Sequence, residues 1–242
     1  YIWIGTMNGL SRYDGFNNRT YTLTQKDSKK QTNILQVAQD KASHIWVTTY
    51  DGHIFCYNPE KDCMMDNADE MLAKLGIKGS SHNSNKAKTT GRVVIDHDKN
   101  LWYISGNTLY YYMYDERQLL QMSLAEPITS VACREGIAYA LGDKGNIYRV
   151  NLRQKSALLI AAYPAQAKAK NLKIYQDLQG NVWTYDLYVH GLYRLPLGNT
   201  FDKARRKQGT SQTAIQKVCD ENVSALAEDR EGNLWIGTNS SG

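Results

Sequence analysis

The chain has 242 residues, of which 42% are hydrophobic and 22% charged, and it carries a formal net charge of +5. This length is enough for one domain, or an array of repeats, with a sizeable core. A net charge this small implies no nucleic-acid partner. No run of apolar residues is long enough to span a membrane.

The chain opens on a short predicted strand, Ile2–Thr6, with Trp3 at its centre. A polar turn that ends at Gly9 and a second strand over residues 10–14 follow. The same apolar-Trp pattern recurs down the chain, so that all five tryptophans occupy one position of a repeat: Trp3, Trp46, Trp102, Trp183 and Trp235. A scarce residue type does not fall into register by chance, so a repeated structural unit is predicted.

An aspartate stands six residues before four of these tryptophans: Asp40, Asp96, Asp177 and Asp229. Glycine stands three residues before Trp183 and Trp235, whereas Ser43 and Lys99 hold that position in the other two copies. Aspartate at the first position of a turn and glycine at the fourth predict a type I turn between two strands.

A weaker copy of the unit has Tyr139 in place of tryptophan. The repeat period is about 46 residues, which fits four short antiparallel strands and predicts a blade of a β-propeller. We therefore expect an all-β chain of about five such blades, a single segment over 1–242 with insertions at 64–90 and 199–222. The first insertion contains a predicted short helix over 66–75, capped by Asp66 or Asn67.

Both ends of the chain fall at the same phase of the repeat, which predicts a segment of a larger propeller. An alternative is a five-bladed ring, closed by pairing of the strand over 223–229 with the opening strand. Closure would remove exposed sheet edges.

Two copies of the repeat also resemble a known family. Residues 223–238, V-S-A-L-A-E-D-R-E-G-N-L-W-I-G-T, look like the two-component regulator propeller repeat, and residues 2–14 look like the rest of that unit. The copies at Trp46 and Trp183 are good matches, that at Trp102 is fair and that at Tyr139 is weak.

This resemblance implies the extracytoplasmic sensor region of a hybrid two-component histidine kinase of glycan-utilising bacteria. It implies an oligosaccharide ligand, a periplasmic location, a homodimeric parent protein and contact with the membrane only through further downstream segments. It implies neither catalysis nor a cofactor in this segment. Two alternatives stay open: a propeller lyase or hydrolase related to streptogramin lyase, and a protein-interaction scaffold.

No catalytic or metal-binding motif was found, so no catalytic residue, metal or cofactor is predicted. His53 and His190 are the only near-equivalent pair of histidines, and we expect both to be solvated loop residues. Residues 96–100 open like a calcium loop but are predicted to form an ordinary aspartate turn. Cys56 and Cys63 are expected to be free thiols, with a hairpin disulfide as the alternative.

The predicted ligand site is the rim where the turns between second and third strands meet the connectors that enter the first strands. Amides, acids and tyrosines there suit sugar recognition. The candidate residues are Asn8, Tyr50, Asp51, Arg92, Asn107, Lys144, Asn171, Tyr188 and His190. The tyrosines of residues 110–114 could form a sugar-stacking platform, but packing between sheets is the preferred interpretation.

Overall fold

A computed structural model of the chain describes residues 1–7, 9–23, 33–49, 52–65, 68–77, 91–134, 136–163, 172–187, 191–197 and 214–239. Within these ranges the regular secondary structure is almost entirely β-strand, and the strands form six antiparallel sheets. The chain divides into two compact units, Tyr1–Ser123 (unit 1) and Leu124–Gly242 (unit 2). No helix in the described ranges is long and apolar enough to cross a bilayer.

Unit 1 contains three sheets whose strands pair in chain order. Sheet A consists of β1 (Ile2–Thr6), β2 (Gly9–Tyr13) and β3 (Asn18–Tyr21). Sheet B consists of β4 (Ile34–Gln39), β5 (Ile45–Thr49), β6 (Ile54–Asn58) and β7 (Cys63–Met65). Sheet C consists of β8 (Gly91–Ile95), β9 (Leu101–Ser105), β10 (Thr108–Met113) and β11 (Gln118–Ser123).

Unit 2 repeats the same arrangement. Sheet D consists of β12 (Ile128–Arg134), β13 (Ile137–Gly142), β14 (Asn146–Asn151) and β15 (Ser156–Ala162). Sheet E consists of β16 (Leu172–Gln176), β17 (Val182–Asp186), β18 (Leu192–Leu195) and β19 (Gln216–Cys219). Sheet F pairs β20 (Val223–Glu228) with β21 (Leu234–Thr238).

Sheets of four antiparallel strands that pair in chain order have the topology of propeller blades, and the predicted fold class is confirmed. Every tryptophan lies on the second strand of its sheet, except that Trp3 lies on β1 of the three-stranded sheet A. Tyr139 holds the same position on β13, so the degenerate copy is a complete four-stranded sheet. Strand β20 pairs with β21.

Apolar side chains fill the space between neighbouring sheets within each unit. In unit 1, Trp46 of sheet B packs in one cluster with Val93, Leu101 and Tyr103 of sheet C. Burial of side chains of this size contributes about 1.5–3 kcal/mol each, so these clusters dominate the stability of the sheet pairs. In unit 2 the cluster between sheets D and E includes Leu141, Ile147, Ile160, Leu172 and Val182.

The one helix of the described residues, α1 (Asp69–Lys74), lies within the predicted insertion 64–90. Its buried residues Met71 and Leu72 join the cluster of Trp46. The predicted cap was wrong, because the N-cap is Ala68 and makes no side-chain capping bond. The second predicted insertion, 199–222, contains β19, the fourth strand of sheet E.

The aspartate before each tryptophan ties the turn to the strand that follows. One carboxylate oxygen accepts the indole N–H six residues later, at 2.7 Å for Asp40–Trp46, 3.0 Å for Asp96–Trp102, 2.8 Å for Asp177–Trp183 and 2.9 Å for Asp229–Trp235. The other oxygen accepts the backbone N–H of the fourth residue after the aspartate, at 2.7–2.9 Å in the four copies. We call this arrangement the Asp–Trp latch. The carboxylate, which is buried in the copies of Asp40, Asp96 and Asp177, is thereby satisfied, and the second strand is fixed in register against the first.

The turn within each latch is the predicted one. The carbonyl of each aspartate accepts the N–H of the third following residue, which has a positive φ in all four copies. Glycine adopts this conformation without strain, but Ser43 at φ 65° and Lys99 at φ 60° adopt it as well. The two sequence departures therefore leave the turn geometry intact, and residues 96–100 are a structural turn.

Candidate functional site

Three of the nine predicted rim residues lie within the described ranges. Arg92 and Asn107 lie in unit 1 and Lys144 lies in unit 2. The other six candidates are outside the described residues: Asn8, Tyr50, Asp51, Asn171, Tyr188 and His190. The rim site therefore stays a prediction, of which the structure describes three side chains.

Arg92 and Asn107 lie at the same end of sheet C. Arg92 follows the first residue of β8 and pairs with Ile104, while Asn107 forms the tight turn that follows β9. Arg92 is half-buried, and this burial lowers the pKa of its guanidinium. Asn107 is exposed, and its carboxamide oxygen is 3.4 Å from the Thr108 hydroxyl. A cation and an amide at one sheet end can bind a hydroxyl or carboxylate oxygen.

In unit 2, Lys144 takes part in a hydrogen-bond network around Glu126. The Glu126 carboxylate accepts the Lys144 backbone N–H at 2.8 Å, the Asn146 amide at 2.6 Å and the Tyr148 hydroxyl at 2.7 Å. Burial alone would raise the pKa of Glu126, but the three donors outweigh it and hold the pKa below its usual value. The network fixes the turn between β13 and β14, while the Lys144 side chain stays exposed.

Sequence reasoning missed Glu126 as a member of this rim. It lies on the connector that enters β12, sixteen residues before Gly142. Its carboxylate occupies the place of a side chain at position 142, where a β-carbon added to Gly142 would lie 2.2 Å from Glu126 Cδ. In the sequence, only the glycine at position 142 marks this place. Because its φ is ordinary, nothing in the sequence indicates that Glu126 lies against it.

The predicted meeting of turns and connectors occurs at three described places in unit 2. The Asp143 N–H donates to the Pro127 carbonyl at 2.9 Å, next to the Glu126 network. At the other two places, Gly191 N–H donates to Glu221 O and Asn239 N–H donates to Asn222 O, both at 3.0 Å. Backbone bonds therefore hold the rim of this unit in place, so that a ligand would meet preorganised groups.

The histidines that the structure describes have local roles. His44 Nδ1 is 3.0 Å from the Asp40 carboxylate within an Asp–Trp latch, and the His53 N–H donates to Thr49 Oγ1 at 3.0 Å. His97 is exposed in the turn before β9. His190 is outside the described residues, so the pair His53–His190 is not tested. Within the described ranges, no cluster of three or more histidine, cysteine or carboxylate side chains could hold a metal.

The tyrosines of residues 110–114 pack within the fold. Tyr110 is buried in the cluster between sheets B and C, and Tyr112 and Tyr114 pack against this cluster. Tyr111 is buried and its ring stacks within sheet C on Trp102, its partner on β9, with 4.0 Å between centroids. Tyr114 donates its hydroxyl to Asp40, which joins sheet C to a latch of sheet B. Burial of Tyr110 and Tyr111 therefore excludes a sugar from these two rings. The four cysteines are free, so the alternative of a Cys56–Cys63 disulfide is not realised.

Comparisons with known proteins agree with this architecture. The chain is similar to the virginiamycin B lyase of Staphylococcus aureus, with a TM-score of 0.61 at 11% identity over 98% of this chain and 73% of the lyase. It is also similar to the extracellular domains of two hybrid two component systems from B. thetaiotaomicron. One has a TM-score of 0.58 at 14% identity, over 98% of this chain and 31% of that protein. The other has a TM-score of 0.52 at 14% identity, over 90% of this chain and 27% of that protein.

Structural likeness at these identities establishes the fold, and the chain is a β-propeller protein built of four-stranded antiparallel blades. The sequence identifies the repeat itself, because residues 217–240 match the family model described as "Two component regulator propeller". This match covers β20, β21 and the latch of Asp229 and Trp235. The resemblance of residues 223–238 to this family is confirmed. No curated protein matches the chain in sequence.

Proposed function

We propose that the chain is a ligand-sensing, extracytoplasmic segment of a hybrid two-component regulator, and that its ligand is an oligosaccharide. The observation that carries this proposal is the match of residues 217–240 to the two-component regulator propeller model. The likeness in fold to two extracellular domains of hybrid two component systems supports it. The chain spans 31% of one of these extracellular domains and 27% of the other, so the kinase and membrane segments of such a parent are part of the proposal.

The chemistry of the rim supports a polyhydroxylated ligand. In unit 1, Arg92 and Asn107 supply a guanidinium and an amide at one end of sheet C. In unit 2, the exposed Lys144 lies on a turn that Glu126 holds in place. Donors and acceptors on fixed backbone suit sugar hydroxyls, which need paired hydrogen bonds in a set geometry.

We further propose a periplasmic location and a homodimeric parent protein. Ligand binding would change the relative populations of two arrangements of the subunits, and this population shift would carry the signal across the membrane. The propeller segment itself would bind without turnover.

An oligosaccharide array tests the proposal. The 242-residue chain is probed against neutral and acidic oligosaccharides, and each hit is titrated by calorimetry. We expect saturable binding of at least one oligosaccharide, weakened by Arg92→Gln. The control is Arg117→Gln, an exposed arginine of the turn at the opposite end of sheet C. A silent array would contradict the proposal, and equal binding by both variants would remove Arg92 from the site.

Turnover is measured in the same samples, because the virginiamycin B lyase shares the fold. Mass spectrometry of each bound oligosaccharide, and of a streptogramin B lactone, should show no product. Product that disappears on replacing His53 by alanine would favour the lyase or hydrolase alternative instead.

A further inference from the structure

The loops that join the last two strands of a sheet allow a comparison within the chain. In sheet A these strands are β2 and β3, and in the four-stranded sheets they are the third and the fourth. In sheets A, B, C and D, four residues separate the last paired positions of these strands. The third residue of the loop is polar and exposed in three sheets, where it is Lys61, Glu116 or Gln154. In sheet A it is Phe16, whose side chain is 93% exposed. Since the fold accepts a solvated residue at this position three times, packing does not explain an aromatic ring there.

The loop that carries Phe16 is held by its own hydrogen bonds. Asp14 Oδ1 accepts the backbone N–H groups of Phe16 at 2.8 Å and Asn17 at 2.6 Å. The Tyr13 hydroxyl donates to the Gly15 carbonyl at 2.6 Å, and Gly15 has a φ of 104° that favours glycine. The exposure of Phe16 is therefore built into a fixed turn, which reduces the ordering cost of binding to the ring.

The surroundings of Phe16 combine apolar and polar groups. Tyr13 is 38% exposed at the same end of sheet A, where it pairs with Asn18. Asn18 is exposed, and its amide offers both a donor and an acceptor. Arg19 is also exposed, but its guanidinium is bound to Asp62 at 2.9 Å. A flat ring with a neighbouring neutral amide suits a neutral sugar, because one face of a pyranose presents C–H groups and its edge presents hydroxyls.

We propose that the loop of Asp14, Gly15, Phe16 and Asn17 is a sugar-binding subsite, in which the Phe16 ring stacks on one neutral pyranose. This inference rests on the proposed function and places one contact of its ligand. The subsite is distinct from the predicted rim, since the loop and the turn between β1 and β2 are at opposite ends of β2. Tyr110 and Tyr111 are too buried to stack on a sugar, whereas the Phe16 ring is exposed.

Three variants of Phe16 separate stacking from general apolar contact. Calorimetry is carried out on the 242-residue chain with hexasaccharides of glucose, xylose and mannose as probes. We expect Phe16→Tyr to bind the responding hexasaccharide as the original chain does. Phe16→Ala and Phe16→Leu should weaken binding about tenfold, the loss that corresponds to 1.4 kcal/mol. The matched control is Glu116→Ala, a change at the same loop position of sheet C, which should leave binding unchanged.

The outcomes distinguish this inference from the proposed function. Binding that is equal in all Phe16 variants but weakened by Arg92→Gln keeps the sensor function and overturns the subsite. Binding by Phe16→Leu that equals binding by Phe16→Tyr overturns stacking, since leucine lacks a flat ring. Absence of binding of all three hexasaccharides overturns the subsite, and a silent oligosaccharide array contradicts the sensor function as well. Circular dichroism of each variant checks folding, which should not change because the side chain is 93% exposed.

Discussion

Glu126 occupies the space that a side chain at Gly142 would need, with only 2.2 Å between Glu126 Cδ and the position of a β-carbon on Gly142. At the equivalent position of sheets A and B, Thr6 and Thr49 turn their hydroxyls onto the following turn, onto Gly9 O at 2.8 Å and His53 O at 3.2 Å. In sheet D the carboxylate comes instead from the connector that enters the first strand. The polar group that bonds to this turn therefore comes from the last residue of β1 in sheet A and of β5 in sheet B, and from the connector before the first strand in sheet D.

This relationship predicts a strong coupling between two substitutions. Gly142→Ala should destabilise the protein by about 1–3 kcal/mol, because the added methyl group displaces a bonded carboxylate. In a Glu126→Ala background the same change should cost about 1 kcal/mol less, since the space is then empty. Urea denaturation of the four proteins measures the coupling. Gly237→Ala serves as the control, because its β-carbon would meet no atom closer than 3.3 Å. Strictly additive losses for Gly142 and Glu126 would contradict the arrangement.

The fold could be predicted from the sequence because the repeat places tryptophan on the second strand of sheets B, C, E and F, and on β1 of sheet A. Only part of the Asp–Trp latch could be predicted from the sequence. Aspartate six residues before tryptophan was recognised, but its bond to the indole was not predicted, and neither was the role of the residue two before tryptophan. That residue is asparagine in three copies, Asn100, Asn181 and Asn233, and its N–H completes the latch each time.

The candidate site was less predictable for a physical reason. Strand positions follow from periodic burial, whereas a rim consists of turns and connectors of variable length, whose contacts no period determines. Glu126 illustrates this. It lies on the connector before β12, whereas its partners Asn146 and Tyr148 lie on β14, and no period of the sequence relates the two places. Phe16 became informative only after the strand pairing showed which loop positions correspond.

Loss of the indole N–H should cost more in a buried latch than in an exposed one. Trp102 has no exposed surface and its acceptor Asp96 is 7% exposed, whereas Trp235 is 66% exposed. Trp102→Phe leaves a buried carboxylate oxygen without its donor and opens a gap, so we expect a loss of about 2 kcal/mol or more. Trp235→Phe should cost less than about 1 kcal/mol, because water can replace the donor. Chemical denaturation of both variants tests this, and equal losses would mean that burial does not set the strength of the latch.

Replacing Lys99 by glycine should stabilise the protein. Lys99 has a φ of 60°, in a turn where two other latches have glycine. Relief of this backbone conformation is worth about 1–2 kcal/mol, and the greater freedom of glycine in the unfolded chain offsets about half of it. The net gain should be about 0.5 kcal/mol. Asp98→Gly, at the neighbouring residue without a positive φ, should instead lower stability. Thermal unfolding compares the two, and a loss in both would show that Lys99 is unstrained.

Two latches differ in the pKa of their aspartates. Burial raises the pKa of Asp96, and its bond to Trp102 only partly offsets this. Burial would also raise the pKa of Asp40, but hydrogen bonds from His44, Tyr114 and Trp46 outweigh it and lower that pKa below the ordinary value. The lowered pKa makes Asp40 stabilising above the ordinary aspartate pKa of about 4, and this contribution is lost as the pH falls through the folded-state pKa. For Asp96 the sign is opposite, because its stabilising contribution is present at low pH and is lost as the pH rises.

The two aspartates should therefore change the acid response of the protein in opposite directions. Asp40→Asn removes a carboxylate whose contribution is lost in acid, so this variant should lose less stability than the original chain between about pH 6 and pH 3. Asp96→Asn removes a group that gains in acid, so this variant should lose more over the same interval. Urea denaturation at the two pH values gives both differences, and each variant serves as the control for the other. A change of the same sign in both variants would contradict the opposite pKa directions.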